Sequence, residues 1–246
     1  VSGSRGEMFR VLVDAQSGEV LVRQGLTWHL ELASYRVFPS DSPSPFSPGH
    51  VTPNTNQPPL ASRALFTLAA LDTNASPAGW IADGDNETRG NNVDAYFDRD
   101  SDDEPDLPRP HGSPARVFDF PLDLTKPPQV NADAAVTHLF YWNNWLHDVL
   151  YGLGFTEAAG NFQAGNFGRG GQDGDPLLAE AQDSLFIDNA SISVPPDGLS
   201  PRMEMYLWVG PEPNRDSSFD TEVVIHEYVH GLSSRLVGGG VGLSAL

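Results

Sequence analysis

Cysteine is absent from the 246 residues, so no disulfide staples this chain and cysteine usage gives no clue to its redox compartment. Lysine is almost absent too, with Lys126 the single example. Lysine and arginine together number 14 against 33 aspartates and glutamates, a formal net charge of −19. A surface of that sign repels phosphate backbones and anionic headgroups, which excludes nucleic acid and an acidic membrane as partners. No apolar run reaches the roughly 20 residues that a membrane-spanning helix needs. The chain opens on Val1, with neither a start methionine nor a signal peptide, and we expect it to be a piece of a longer precursor.

What the sequence has in quantity is glycine, 24 residues, and proline, 21, which predicts many turns and long loops around a core that this length can bury. Residues 9–13 (FRVLV) and 19–22 (EVLV) flank the turn residues Asp14 to Gly18 and read as a hairpin. An extended run follows over His29–Phe38. Residues 39–59, dense in Pro, Ser and Asn, read as an irregular segment. Residues 64–71 (ALFTLAAL) form a short apolar element, helix or strand. An acidic, turn-rich stretch then carries Asp98, Asp100 and Asp102 in D-x-D-x-D spacing. Such oxygen-rich loops suit Ca²⁺, but the EF-hand glycine and terminal glutamate are missing, and a solvated acidic loop is an equal reading.

Residues 131–152 (NADAAVTHLFYWNNWLHDVLYG) predict a long helix, capped by Asn131 or Asp133, with a wide apolar face. His138 and His147 lie on it and read as hydrogen-bonded core residues. The glycine-rich stretch after it lacks the Gly-Lys-Ser/Thr ending of a phosphate loop. Residues 184–194 and 202–209 read as two strands joined by the Pro195–Gly198 turn, and a strand so close to the next helix can form the edge of a substrate cleft.

That helix, expected over residues 221–237, carries the chemistry. Asp220 is a good N-cap, Glu222 adds negative charge to the first turn, and Gly238–Gly240 end it. Val223, Val224, Ile225, Val229, Leu232 and Leu236 supply its apolar positions. His226-Glu227-Tyr228-Val229-His230 is an H-E-x-x-H motif. Histidines at i and i+4 share a helix face, and two neutral imidazoles make half of a tetrahedral Zn²⁺ site. Glu227 is offset around the helix, able to stand beside the metal as a general base without binding it. A hydrolytic zinc site needs a third protein ligand. The metzincin continuation fails, because Ser233 and Leu236 stand where its glycine and third histidine belong. No acidic residue follows Glu227.

Four stretches, ETRGNNVDAYFDRD, HLFYWNNWLHDVLYGLGFTEAAGNFQ, PPDGLSPRMEMYLW and HEYVHGLSSRLVGG, together resemble the fungalysin family, secreted zinc metalloendopeptidases of the thermolysin-like, Glu-zincin kind. The resemblance covers most of residues 80–240. It implies an α+β fold: the β-rich N-terminal half of a thermolysin-like peptidase, with the 131–152 helix and the zinc helix at 221–237. It implies His226 and His230 as zinc ligands, Glu227 as general base, and a third ligand, a Glu, beyond Leu246. It implies that Asn189 and Ala190 hold the substrate backbone, and that a C-terminal helical domain completes the enzyme. Residues 1–32 resemble the end of a family propeptide, leaving 33–246 as peptidase, with a maturation cut between about Gly25 and Tyr35. Protein or peptide substrates and an extracellular location follow from the resemblance. A zinc aminopeptidase, with Glu204 of Arg202-Met203-Glu204-Met205 receiving the substrate amine, and a catalytically silent metal-bound binding module stand as alternatives.

Overall fold

The computed structural model describes residues 9–18, 20–25, 33–39, 62–68, 71–82 and 84–238. The expected irregular segment over 39–59, most of the expected maturation window, and Gly239 and Gly240 lie outside them. The chain divides into two compact units, residues 1–31 and 32–246. In the first, β1 (Phe9–Val13) and β2 (Val20–Gly25) form the expected antiparallel hairpin. Asp14 closes its turn by accepting hydrogen bonds from the backbone N–H groups of Gln16 and Ser17, at 2.8 and 2.7 Å.

The second unit is α+β. One sheet has β3 (Ser34–Val37) at its centre, antiparallel to β4 (Ala64–Thr67) and parallel to β6 (Val117–Phe118), so 64–71 resolves in favour of a strand. The other sheet is mixed. β5 (Val93–Phe97), β7 (Leu177–Ile187) and β9 (Arg202–Trp208) run parallel, and β8 (Ala190–Ser193) and β10 (Arg215–Asp216) pair antiparallel with β9. Strands buried on both faces carry near-continuous small and apolar residues, and Val93, Ala95, Leu177, Ala179, Ala181, Met203 and Met205 are all fully buried.

The expected strand over 184–194 is two strands. β7 starts earlier, at Leu177, and the chain reverses at Asp188–Asn189 before β8. Asp188 takes a left-handed conformation (φ 55°), and its Oδ1 accepts from the Val209 N–H at 2.7 Å, which ties this reversal to the residue after β9.

α1 (Ala132–Gly152) packs on β3, β5, β7 and the helix that carries the H-E-x-x-H motif. It is buried on most of its surface, as a helix apolar nearly all round should be. Two of the polar side chains this burial takes in bond to the helix itself: Asn143 and Asn144 donate to the carbonyls one turn back, Leu139 and Phe140, each at 2.9 Å. Trp145 and Val149 remain partly exposed. The expected cap is not made. Asn131 stands at the N-cap position, but its side chain accepts from the Asp123 N–H at 2.8 Å and donates to the Asp123 carbonyl at 2.9 Å, tying down the preceding loop instead.

Candidate metal centre and active site

α2 (Thr221–Leu236) lies on the surface of the unit. Asp220 caps it as expected, its Oδ1 accepting from the Val223 N–H at 3.4 Å. The inward stripe is Thr221, Val224, Tyr228, Gly231 and Arg235, spaced by three or four residues. Val229 and Leu236, expected among the apolar surroundings, fall on the other side and are 43% and 56% exposed. The helix is half-buried, so only its inner stripe needs to be apolar.

Two features seat this helix. Gly231 follows His230 directly, and a Cβ there would stand 3.1 Å from Ile192 Cδ1 of β8 and 3.1 Å from the Phe162 ring. The missing side chain lets the helix approach β8. One turn on, the Arg235 guanidinium is buried. It donates to Asp175 Oδ2 (2.7 Å) and to the carbonyls of Pro195 (2.9 Å), Gly160 (3.2 Å) and Leu199 (2.8 Å). A buried guanidinium needs partners, and these four acceptors give each of its three nitrogens at least one. No local pattern announces this anchor, because its partners lie 36 to 75 residues upstream.

His226 and His230 are exposed on the outer side of α2, with their Nε2 atoms 2.9 Å apart. Two Zn–N bonds of about 2.1 Å at a tetrahedral angle separate their nitrogens by about 3.4 Å, so the pair sits within about half an ångström of a chelating arrangement. Nitrogen donors on an open face suit Zn²⁺. Among the described residues, no other histidine or carboxylate joins these two to make a group of three ligand atoms. Glu227 is buried. Burial pushes its carboxyl above the ordinary glutamate range, and the two neighbouring imidazoles pull it back.

The pocket beside the pair, about 340 Å³, is lined by Asn189, Ala190, Trp208, Asp220, Glu222, Val223, His226 and Glu227. The structure therefore brings Asn189 and Ala190 to the same cleft as the H-E-x-x-H residues. Ala190 begins β8, which pairs with β9 on one side. Among the described residues its other edge takes no strand. Trp208 in this lining had no signal in the sequence. Glu204, the carboxylate of the aminopeptidase alternative, does not line this pocket; it accepts from Ser191 Oγ at 2.6 Å and Tyr206 OH at 3.0 Å.

The α1 histidines are structural, as expected. His138 Nδ1 donates to the Ser218 carbonyl at 2.8 Å. His147 Nδ1 lies 3.0 Å from Asp148 Oδ1, and its Nε2 lies 3.3 Å from Asn161 Nδ2.

An exposed histidine pair with a buried carboxylate between them defines a zincin-type metallopeptidase helix. Residues 49–246 match the family model for fungalysin metallopeptidase (M36), and the chain belongs to that family. It is 48% identical over 170 residues to extracellular metalloproteinase 5 of Arthroderma gypseum, covering 67% of this chain and 26% of that protein. It is 39% identical over 243 residues to extracellular metalloproteinase MEP of Pyricularia oryzae, and 38% over 231 residues to extracellular metalloproteinase mep of Aspergillus niger, each covering 92% of this chain and 34% of the relative. The chain thus spans about a quarter to a third of the length of the curated relatives it matches.

Proposed function

We propose that the chain is the zinc-helix part of a secreted metalloendopeptidase that hydrolyses peptide bonds in proteins. The observation that carries this is the exposed His226–His230 pair, of which His226 lines a pocket together with Glu227. The two histidines hold zinc. Zinc, when bound, supplies a Lewis acid and an activated water. Glu227 accepts the proton of the attacking water and returns it to the leaving amine, a role supported by its burial beside the pair. Asn189 and Ala190 hold the substrate backbone along the open edge of β8, a mode that gives binding with little side-chain selectivity.

The third ligand in this proposal is a Glu from a segment outside residues 1–246, carried by a C-terminal helical domain that also meets the exposed outer face of α2. Residues 1–32 are the end of a propeptide, and 33–246 belong to the peptidase. The relatives' extracellular naming supports secretion. Among the described residues no helix is long and apolar enough to cross a membrane. Calcium is proposed as a second ion. Asp98, Asp100 and Asp102 can bring ligand atoms within 4.8 Å of one another, with the last two open to solvent.

The test is Glu227→Gln in the full-length enzyme. Zinc content should stay at wild-type level, while casein cleavage falls by about 10²–10⁴-fold. Cleavage near the wild-type rate would overturn the mechanism. N-terminally blocked peptides should be cut, and failure to cut them would favour an aminopeptidase.

A further inference from the structure

A second group of buried carboxylates lies where the loop after β5 meets the middle of the neighbouring parallel strand β7. Three features of the chain build it. Asp98 immediately follows β5, and its two oxygens accept from the backbone N–H groups of Asp102 (3.1 Å) and Asp103 (2.9 Å). The loop closes back on Asp98 because Ser101 and Asp103 adopt positive φ, 54° and 68°. Glu180 projects from the middle of β7. Its Oε1 accepts from Tyr96 OH at 2.8 Å and from Arg202.

Asp183 arrives by an irregularity. Side chains alternate along a strand, so residues 180 and 183 should point to opposite faces. Gln182 is an extra residue in a β-bulge: Ala181 pairs with Met205 and Asp183 with the next residue, Tyr206. Gln182 has φ 57°, and its side chain is held by the Pro128 carbonyl and Asp216 Oδ2, each at 2.9 Å. Bulges re-aim side chains, and this one turns Asp183 toward Glu180 and Asp98. The three carboxylates can place one oxygen each within 4.8 Å of one another, and all three residues are at most 1% exposed.

The hydrogen bonding of this group is incomplete in a specific way. Asp183 Oδ1 accepts from the Leu185 N–H (2.6 Å) and Ser101 Oγ (3.2 Å), but its Oδ2 is buried with no partner. Glu180 Oε2 is likewise buried with no partner. Buried carboxylate oxygens without a donor are costly and rare. The one guanidinium that meets this group, Arg202, bonds Glu180 and is shared with Asp103, so Asp98 and Asp183 have no cationic partner among the described ion pairs. A bound cation would supply one.

We propose that Asp98, Glu180 and Asp183 form a buried calcium site. Hard carboxylate oxygens, three potentially bidentate groups and no nitrogen or sulfur donor suit Ca²⁺ rather than Zn²⁺. The site rests on the calcium reading above for Asp98, but replaces the exposed Asp100 and Asp102 with two buried ligands from β7. By joining the loop after β5 to the bulge in the middle of β7, the ion ties two neighbouring strands together.

The full-length protein, zinc-loaded and freed of calcium, is titrated with CaCl₂ by calorimetry and its melting temperature followed. One Ca²⁺ per chain should bind, and at about 100 times Kd the Tm should rise by roughly 5–10 °C. Asp183→Asn should lose both effects, and a variant carrying Asp100→Asn and Asp102→Asn should keep both. Should Asp183→Asn fail to fold, hydrogen exchange of the wild-type protein decides: calcium should slow amides in 98–103 and 180–185 together. No binding up to about 10 mM CaCl₂ overturns the site. So does protection confined to the 98–106 loop, or loss of binding in the Asp100/Asp102 variant. Equal affinity for MgCl₂ overturns the assignment to calcium. None of these readouts depends on peptide cleavage, so failure here leaves the zinc reading standing, and the reverse.

Discussion

The two long helices each carry two histidines, and they use them in opposite ways. On α1, His138 and His147 are 1% exposed and engage hydrogen-bond partners inside the protein. On α2, His226 and His230 are exposed and turn their Nε2 atoms toward each other at the rim of a pocket. Histidine spacing is only part of the difference. The i, i+4 pair on α2 could have been buried had its helix been apolar all round. It is available because the packed stripe of α2 runs through Val224, Tyr228, Gly231 and Arg235 and leaves the histidines outside. A metal ligand needs a free lone pair as well as the right residue type.

The largest test of that contrast exchanges one histidine from each helix. In the full-length enzyme His226→Ala should lose bound zinc and cleave casein at least about 10²-fold more slowly, while the metal-free protein changes stability by about 0.5 kcal/mol or less. His138→Ala should do the reverse, keeping zinc and losing about 2–4 kcal/mol through a cavity and an orphaned Ser218 carbonyl. Metal analysis and denaturant melts of both variants read the two effects separately. Equal stability losses would erase the distinction.

A smaller effect is expected with pH. Burial drives the His138 pKa down to about 3, with the bond to Ser218 opposing it weakly. Unfolded, the group titrates near 6.5. Between these values the unfolded chain binds a proton that the folded chain does not, so stability falls as the pH drops from about 6.5 toward 3 and is unaffected above it. By pH 5 the loss from this group is about 2 kcal/mol. Melts from pH 7 to 4.5 should show a shallower acid limb in His138→Gln than in the wild type. Identical slopes would mean that the group is not held neutral.

The smallest change is at Gly231. Alanine raises helix propensity by about 1 kcal/mol, but its methyl meets Ile192 and Phe162, and overpacking costs about 1–3 kcal/mol. A net loss of about 1 kcal/mol is expected, with a drop in kcat/KM from the displaced His230. A more stable variant of unchanged activity would show that the close approach to β8 is not needed.

The chemistry was legible because H-E-x-x-H is local: the residues that decide it lie within five positions, and the cap at Asp220 lies six before the first histidine. The α1 helix and the β1–β2 hairpin were legible for the same reason. β7 was not, because its first half reads LLAEAQD, whose buried Glu180 and Asp183 do not resemble a core strand. Nor could the sequence bring Asp98 next to Glu180. That juxtaposition depends on parallel pairing of strands separated by a whole helix, and on a bulge at Gln182 that no propensity announces. D-x-D-x-D spacing named Asp98 but supplied the exposed neighbours rather than the buried ones. Around the zinc pair, Asn189 and Ala190 were placed by family resemblance. Trp208 and the Arg235 anchor required coordinates.

Arg235 carries a consequence for how this fold can vary. Its guanidinium gathers Asp175 and the carbonyls of Gly160, Pro195 and Leu199 onto the last turn of α2. Those loops hold none of the catalytic groups, yet none can change length or course without moving the end of the helix that carries His230. Lengthening the glycine-rich stretch between Gly160 and Asp175 would therefore reach the His226–His230 pair from a distance, shifting the end of its helix while leaving every residue of the adjoining pocket lining intact.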